Sequence, residues 1–188
     1  MVKRYLITGG CGFIGTSLVQ KIMREYESVE INVLDNLSIG SKKDLEEVCD
    51  LENSKKNGNS GKNVFLQVGD IRNYEQCLQA SQGMDCIVHL AANTGVPPSI
   101  KNPRLDLENN IIGTFNLLEA ARNTGVKKFI FASSNAPAGE ITPPVHEEVA
   151  PHPVSPYGAS KLAGEGYCSA YSKTFGLSTV ILRFANVY

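Results

Sequence analysis

Apolar residues fall along this chain in short runs that alternate with longer stretches at helical spacing. Tyr5-Leu6-Ile7, within Arg4 to Thr8, suits a short buried strand, and Phe13 to Met23 places its apolar groups on one helical face. Ile31-Asn32-Val33-Leu34 is a second strand run ending at Asp35, and Val64 to Val68 is a third. Beyond them the pattern predicts a helix near Tyr74 to Ala80, a strand at Cys86 to Leu90, and a long helix from Leu105 to Asn123. A strand at Lys128 to Ala132, a helix from Pro156 to Phe175 and a strand at Thr179 to Phe184 complete the series. The polar stretch from Ser41 to Lys62 carries only a short helical pattern around Asp44 to Val48. Its segment Asn53 to Gly61 can bury little and is expected to form a mobile loop. Repeated βα units imply an α/β protein, a parallel sheet with helices on both faces joined by right-handed crossovers. Ligands of such sheets sit beyond the carboxyl ends of the strands, near the switch point.

Composition sets bounds on this picture. The 188 residues can bury one sizeable core, and 42 % hydrophobic with 20 % charged residues is ordinary for a globular domain. A net charge of -1 offers no field for nucleic acid or an anionic membrane. No apolar run approaches the roughly 20 residues of a membrane span, and the N-terminus enters a charged strand rather than a signal peptide. A cytoplasmic protein is the expectation. The five cysteines (Cys11, Cys49, Cys77, Cys86, Cys168) are scattered and odd in number, which favours reduced thiols. Neither they nor His89, His146 and His152 show metal-ligand spacing.

Two segments carry candidate chemistry. Thr8-Gly9-Gly10-Cys11-Gly12-Phe13-Ile14-Gly15 lies between the first strand and the first helix, where glycines let the backbone approach a pyrophosphate facing the helix N-terminus. Asp35 ends the next strand about twenty residues after the last glycine, the place of a carboxylate that accepts from the adenosine ribose hydroxyls and repels a 2'-phosphate. That favours NAD over NADP. In Tyr157-Gly158-Ala159-Ser160-Lys161 a phenol and an ammonium share one helix face. A tyrosine titrating near pH ~10 becomes a useful base only where a positive charge favours its phenolate, and Lys161 is placed to supply one.

Further polar clusters follow the predicted strands: Gly69-Asp70-Ile71, His89-Leu90-Ala91-Ala92, Asn109-Asn110 in the turn leading to Gly113-Thr114, Ser133-Ser134, and Arg183-Phe184-Ala185-Asn186. With the glycine turn and the Tyr-Lys pair, they resemble the extended short-chain dehydrogenase/reductase family of NAD-dependent nucleotide-sugar epimerases and dehydratases. The resemblance covers essentially the whole chain, and its pattern is nearest the UDP-glucose 4-epimerase branch. It implies a Rossmann-type doubly wound sheet. It also implies roles. Gly9, Gly12 and Gly15 shape the pyrophosphate turn, Phe13 and Ile14 present backbone to it, Asp35 and Asn36 hold the adenosine ribose, and Asp70 and Ile71 flank the adenine. Leu90, Ala91 and Ala92 line the dinucleotide path, Asn109 lies near the nicotinamide half, and Lys161 bonds the nicotinamide ribose while lowering the pKa of Tyr157. Ser134 binds the sugar hydroxyl that is oxidised, and Asn186 reaches the substrate. His89 reads as a packed strand-end residue and Cys11 as a small turn residue.

The reaction implied is C4 epimerisation of a UDP-sugar through a transient 4-keto sugar. Tyr157 takes the O4 proton as C4 gives hydride to NAD, and the hydride returns to the other face. Dehydratases of the family place acidic residues just after the serine or threonine, whereas Asn135-Ala136-Pro137-Ala138-Gly139 follows Ser134 here. A 4,6-dehydratase or another reaction of the family is therefore the second reading, and a non-catalytic NAD-binding module the third. Pro137 and Ala138 stand where the family's pattern has valine and tyrosine. The family's substrate domain lies downstream of an Asn-Val-Tyr sequence, found here at residues 186–188. Residues 1–188 are thus expected to be the NAD-binding domain of a longer protein, inactive alone. Family dimers pair the helices read here as Leu105 to Asn123 and Pro156 to Phe175, so a homodimer is expected.

Overall fold

The computed structural model describes residues 3–51, 61–142 and 146–188. Its centre is a six-stranded parallel sheet of order β3-β2-β1-β4-β5-β6. The strands are β1 (Lys3–Thr8), β2 (Val29–Asp35), β3 (Lys62–Val68), β4 (Cys86–His89), β5 (Lys128–Ser134) and β6 (Ser178–Phe184). The order reverses between β1 and β4, so the switch point falls at the carboxyl ends of those two strands. Helices α1 (Phe13–Glu25) and α2 (Lys42–Glu46) precede β3. They are followed by α3 (Tyr74–Ser81), α4 (Val96–Lys101), α5 (Pro103–Leu107), α6 (Gly113–Thr124) and α7 (Pro156–Phe175).

Alternation along each strand divides the apolar residues between two cores. Leu6, Leu34, Ile87, Phe129 and Phe131 pack with Leu117 and Leu118 of α6 and Tyr171 of α7. Ile7, Ile31, Val33 and Val88 pack on the other face with Val19 and Ile22 of α1 and Leu45 of α2. Burying one such side chain contributes about 1.5–3 kcal/mol, so truncating Phe129 to alanine, with its cavity, costs about 3–5 kcal/mol.

Two expectations are corrected. Ser133 and Ser134 lie inside β5, where they pair with Arg183 and Phe184, rather than in a turn beyond it. The predicted long helix from Leu105 is a composite. α4 ends at Lys101, and Asn102, the cap between the two helices, starts α5 by accepting from Leu105 N at 3.1 Å, with Pro103 at the first helical position. A π-helical turn, Glu108–Ile112, joins α5 to α6, so Asn109 and Asn110 sit in a helix rather than in an open turn. The expected loop at residues 53–60 lies outside the described residues. All five cysteines are free and buried, and burial pushes the Cys11 thiol up to about 12 and the Cys86 thiol to about 11. Among the described residues no helix is long and apolar enough to cross a membrane, and no group of three His, Cys, Asp or Glu could hold a metal ion.

Candidate active site

The turn from β1 into α1 closes only around glycine. Gly9 has φ +70°, and a Cβ on it would lie 2.7 Å from Ala91 N; a Cβ on Gly15 would strike Gly9 O and lie 2.5 Å from Gly10 Cα. The helix has no side-chain cap at Gly12. Among the described residues no acceptor meets the N–H groups of Phe13, Ile14 and Gly15. Uncapped donors at the positive end of a helix form a seat for an anion. Asp35, only 8 % exposed, accepts from Cys11 N at 2.9 Å and from Leu37 N at 2.8 Å. The carboxylate thus ties the glycine turn to the loop after β2 and keeps lone pairs for a diol. Leu37 is held at φ +58°, a conformation that costs a non-glycine residue about 1–2 kcal/mol and that this bond and its packing against the α1 core sustain.

These parts border a cavity of about 310 Å³ at the switch point. Gly9, Gly12, Phe13, Ile14 and Gly15 line one side, Asp35 and Asn36 the end of β2, and Ile71, Leu90, Ala91, Ala92 and Asn109 the remainder. An anion seat, a diol-binding carboxylate and apolar walls fit a dinucleotide. Asp70 is the exception. Its carboxylate is bound to the Arg72 guanidinium at 2.7 Å and to Asn36 Nδ2 at 3.3 Å, and it borders the neighbouring hollow instead. Sequence reading missed Ser38, Ile39, Gly40 and Thr94, which also line the cavity and follow no motif, and gave no role to Val187, which lines it from within the Asn-Val-Tyr sequence.

Ser134, Tyr157 and Lys161 come together beside this cavity without lining it, while Asn186 is exposed outside it. Ser155 caps α7 by accepting from Gly158 N at 3.1 Å, and Pro156 starts the helix. A Cβ on Gly158 would lie 2.7 Å from Ala136 O, so the first turn of α7 rests directly on the short 3-10 turn Ala136–Ala138 that follows β5. That approach brings Tyr157 to Ser134. Burial raises the Tyr157 phenol above its ordinary range, a hydrogen bond with Ser134 pulls it back, and the Asp106 carboxylate raises it. Lys161 does share a face with Tyr157, its Nζ 5.8 Å from the ring centroid. Its nearest acceptor, however, is Ala132 O at 2.9 Å, and burial pushes it down to about 8. Ala132 also lines the cavity, so the ammonium lies one carbonyl away from it.

Buried polar chains brace the site. Thr114 Oγ donates to Asn110 O at 2.7 Å and therefore accepts from His89 Nε2, 2.9 Å away. His89 Nδ1 then accepts from Thr8 Oγ at 2.8 Å, and that hydroxyl accepts from Ala91 N at 3.3 Å. The neutral Nε2–H tautomer follows, and burial pushes His89 down to about 3. On the other side, Glu165 accepts from Ser133 Oγ at 2.6 Å and holds the Arg183 guanidinium at 2.6 and 2.8 Å, locking α7 to the ends of β5 and β6. Glu165 lies one helical turn beyond Lys161, a spacing that could have revealed it.

Residues 5–188 match the family model described as "NAD dependent epimerase/dehydratase family". The chain belongs to that family, whose cofactor is NAD. It is 35 % identical over 187 residues to UDP-glucose 4-epimerase of Mycolicibacterium smegmatis, covering 98 % of this chain and 56 % of that protein. The crystal structure of Thermus thermophilus UDP-glucose 4-epimerase in complex with NAD is 37 % identical with a TM-score of 0.86, covering 98 % of this chain and 56 % of that one. DesIV, a dTDP-glucose 4,6-dehydratase from Streptomyces venezuelae solved with NAD, is 32 % identical with a TM-score of 0.87 and the same coverage. The chain spans about half the length of the curated relatives it matches.

Proposed function

We propose that this chain is the NAD-binding and catalytic part of a nucleotide-sugar 4-epimerase acting on a UDP-sugar. The observation that carries the reading is the junction of Ser134, Tyr157 and Lys161 with the glycine-turn cavity through Ala132. Relatives named as epimerases support it. Phe13, Ile14 and Gly15 N–H groups hold the pyrophosphate, Asp35 and Asn36 hold the adenosine ribose, and Ile71 borders the adenine with Asp70 behind it. Leu90, Ala91, Ala92 and Asn109 guide the dinucleotide toward Tyr157. Bound NAD supplies a reversible hydride acceptor.

The chain's own groups move the proton. Ser134 hydrogen-bonds the sugar O4, Tyr157 takes the O4 proton and later returns it, and Lys161 eases the first step by its charge and bonds the nicotinamide ribose. A phenol raised by burial suits the returning step, in which it must be a donor. Asn186 contributes to the sugar site, and since the relatives are nearly twice as long as this chain, the rest of that site is proposed to come from further residues of the full-length protein. The protein acts as a cytoplasmic homodimer, paired through α6 and α7.

A 4,6-dehydratase is the second reading, favoured by the match to DesIV. Against it, the turn after Ser134 is built on Pro137 and Ala138, both buried, and offers no acid between Asn135 and Gly139. Full-length protein incubated with a panel of UDP- and dTDP-sugars, with chromatography of the products, separates the two. The expected product is the 4-epimer at equilibrium; a 4-keto-6-deoxy sugar would overturn the proposal.

A further inference from the structure

A buried amide behind the cavity wall takes no part in the proton and hydride steps. Asn116 of α6 is 9 % exposed, and its side chain finds its partners outside its own helix. Nδ2 donates to Ile71 O and to Arg72 O, both at 3.0 Å. Only the NH2 end of the amide can serve two carbonyls, so its orientation is fixed. Both carbonyls belong to the turn after β3, which Asn73 N closes by donating to Asp70 O at 2.9 Å. The start of that turn is held from α3, Asp70 N donating to Gln76 Oε1 at 2.7 Å, and Cys77 Sγ of the same helix reaches Ile71 O at 3.2 Å. Its centre is held from α6 by Asn116.

One helical turn earlier, α6 meets Ile71 a second time. A Cβ on Gly113 would strike Ile71 Cδ1 and lie 2.6 Å from its Cγ1, so the helix backbone packs directly on the isoleucine side chain. Positions 113 and 116 share a helix face, which thus takes both the side chain and the carbonyl of one residue. Ile71 is left 5 % exposed and borders the cavity together with Gly69. Gly69 N in turn donates to Asp35 O at 2.9 Å, which sets this turn beside the carboxylate proposed to hold the adenosine ribose. A base carried by that ribose comes to rest against Gly69 and Ile71.

We propose that Asn116 is a positioning residue for the base half of the dinucleotide: by clamping the Ile71 and Arg72 carbonyls it fixes the apolar wall on which a purine lies. The inference rests on the proposed placing of the ribose at Asp35 and is independent of the sugar chemistry. Contact between a flat base and an aliphatic wall falls steeply with separation, a gap of about 0.5–1 Å already forfeiting a quarter to a half of it. A purine presents a larger face than a pyrimidine and loses more when the wall shifts. Asn116 therefore acts on which base is preferred, beyond how tightly the dinucleotide binds.

The test compares two ligands that differ in the base alone, NAD and nicotinamide cytosine dinucleotide, in calorimetric titrations of the full-length protein. Wild type should prefer NAD, and in Asn116→Ala the ratio of the two affinities should shrink by ~5-fold or more. General loosening of the fold weakens both ligands alike and leaves the ratio in place. A wild-type ratio in Asn116→Ala, whether both affinities stay or fall together, overturns the proposal. Should Asn116→Ala not fold, Gly113→Ala decides, because it displaces the Ile71 side chain and leaves the amide intact. The ratio should shrink there too, and an unchanged ratio overturns Ile71 as the wall and Asn116 with it. A wild-type protein that does not distinguish the bases would contradict the ribose placement as well, whereas loss of the epimerase reading would leave every ratio as expected.

Discussion

At the scale of single residues, the proposed cofactor choice falls to Asp35. Its carboxylate is already oriented by Cys11 N and Leu37 N, so it cannot swing away from an added phosphate without undoing the glycine turn. Two like charges ~4 Å apart repel by about 4 kcal/mol at an effective dielectric near 20, before salt screening. Purified protein should therefore bind NAD well over 10-fold more tightly than NADP in a calorimetric titration. Equal affinities would remove the role given to Asp35. This residue was legible in the sequence because a strand run, a glycine turn and a fixed spacing all pointed to it. Asp106 was not, since a single aspartate on a helix carries no signal until the fold buries it against Asn110.

At the level of elements, the strands and the outer helices were readable from apolar spacing, because the inner strands β1, β2, β4 and β5 bury residues on both faces, while the edge strands β3 and β6 stay partly exposed. The stretch from Leu105 to Asn123 was read as one helix because its apolar positions keep helical spacing through the π-helical turn. The irregularity is set by polar side chains, with Thr114 taking Asn110 O and Asn102 capping α5. His89 joins β1, β4 and α6 through this region and has an acid liability. Its folded-state pKa of about 3 lies below the ordinary value of 6.5, so its contribution is complete above pH 6.5 and is lost as pH falls toward 3. Stability should drop by on the order of 1 kcal/mol per pH unit between about pH 6.5 and 5, above the range where most carboxylates titrate. Denaturant melts across that window should show this limb, and His89→Gln should flatten it. An unchanged limb in the variant would mean that another group governs acid sensitivity.

Taken as a whole, the molecule presents one helical face rich in exposed aromatic groups. Phe115 of α6 is 37 % and Tyr167 of α7 41 % exposed, and the two rings pair edge to face at 5.5 Å. Such a face, self-paired about a two-fold axis, is the expected dimer interface. Sedimentation equilibrium should find a dimer that Tyr167→Lys dissociates, whereas a concentration-independent monomer would contradict the assembly. The cavity at the switch point, the Tyr157 helix and the Ser134 strand meet at one end of the sheet, and the proposed chemistry depends on their meeting. Tyr157→Phe in the full-length protein tests that dependence most directly, since it preserves the ring's packing and removes the group proposed to move the proton. Its turnover of UDP-sugar should fall by at least ~100-fold while NAD affinity and melting temperature stay those of wild type. A variant that binds NAD, melts like wild type and still interconverts the sugars at a comparable rate would contradict the account.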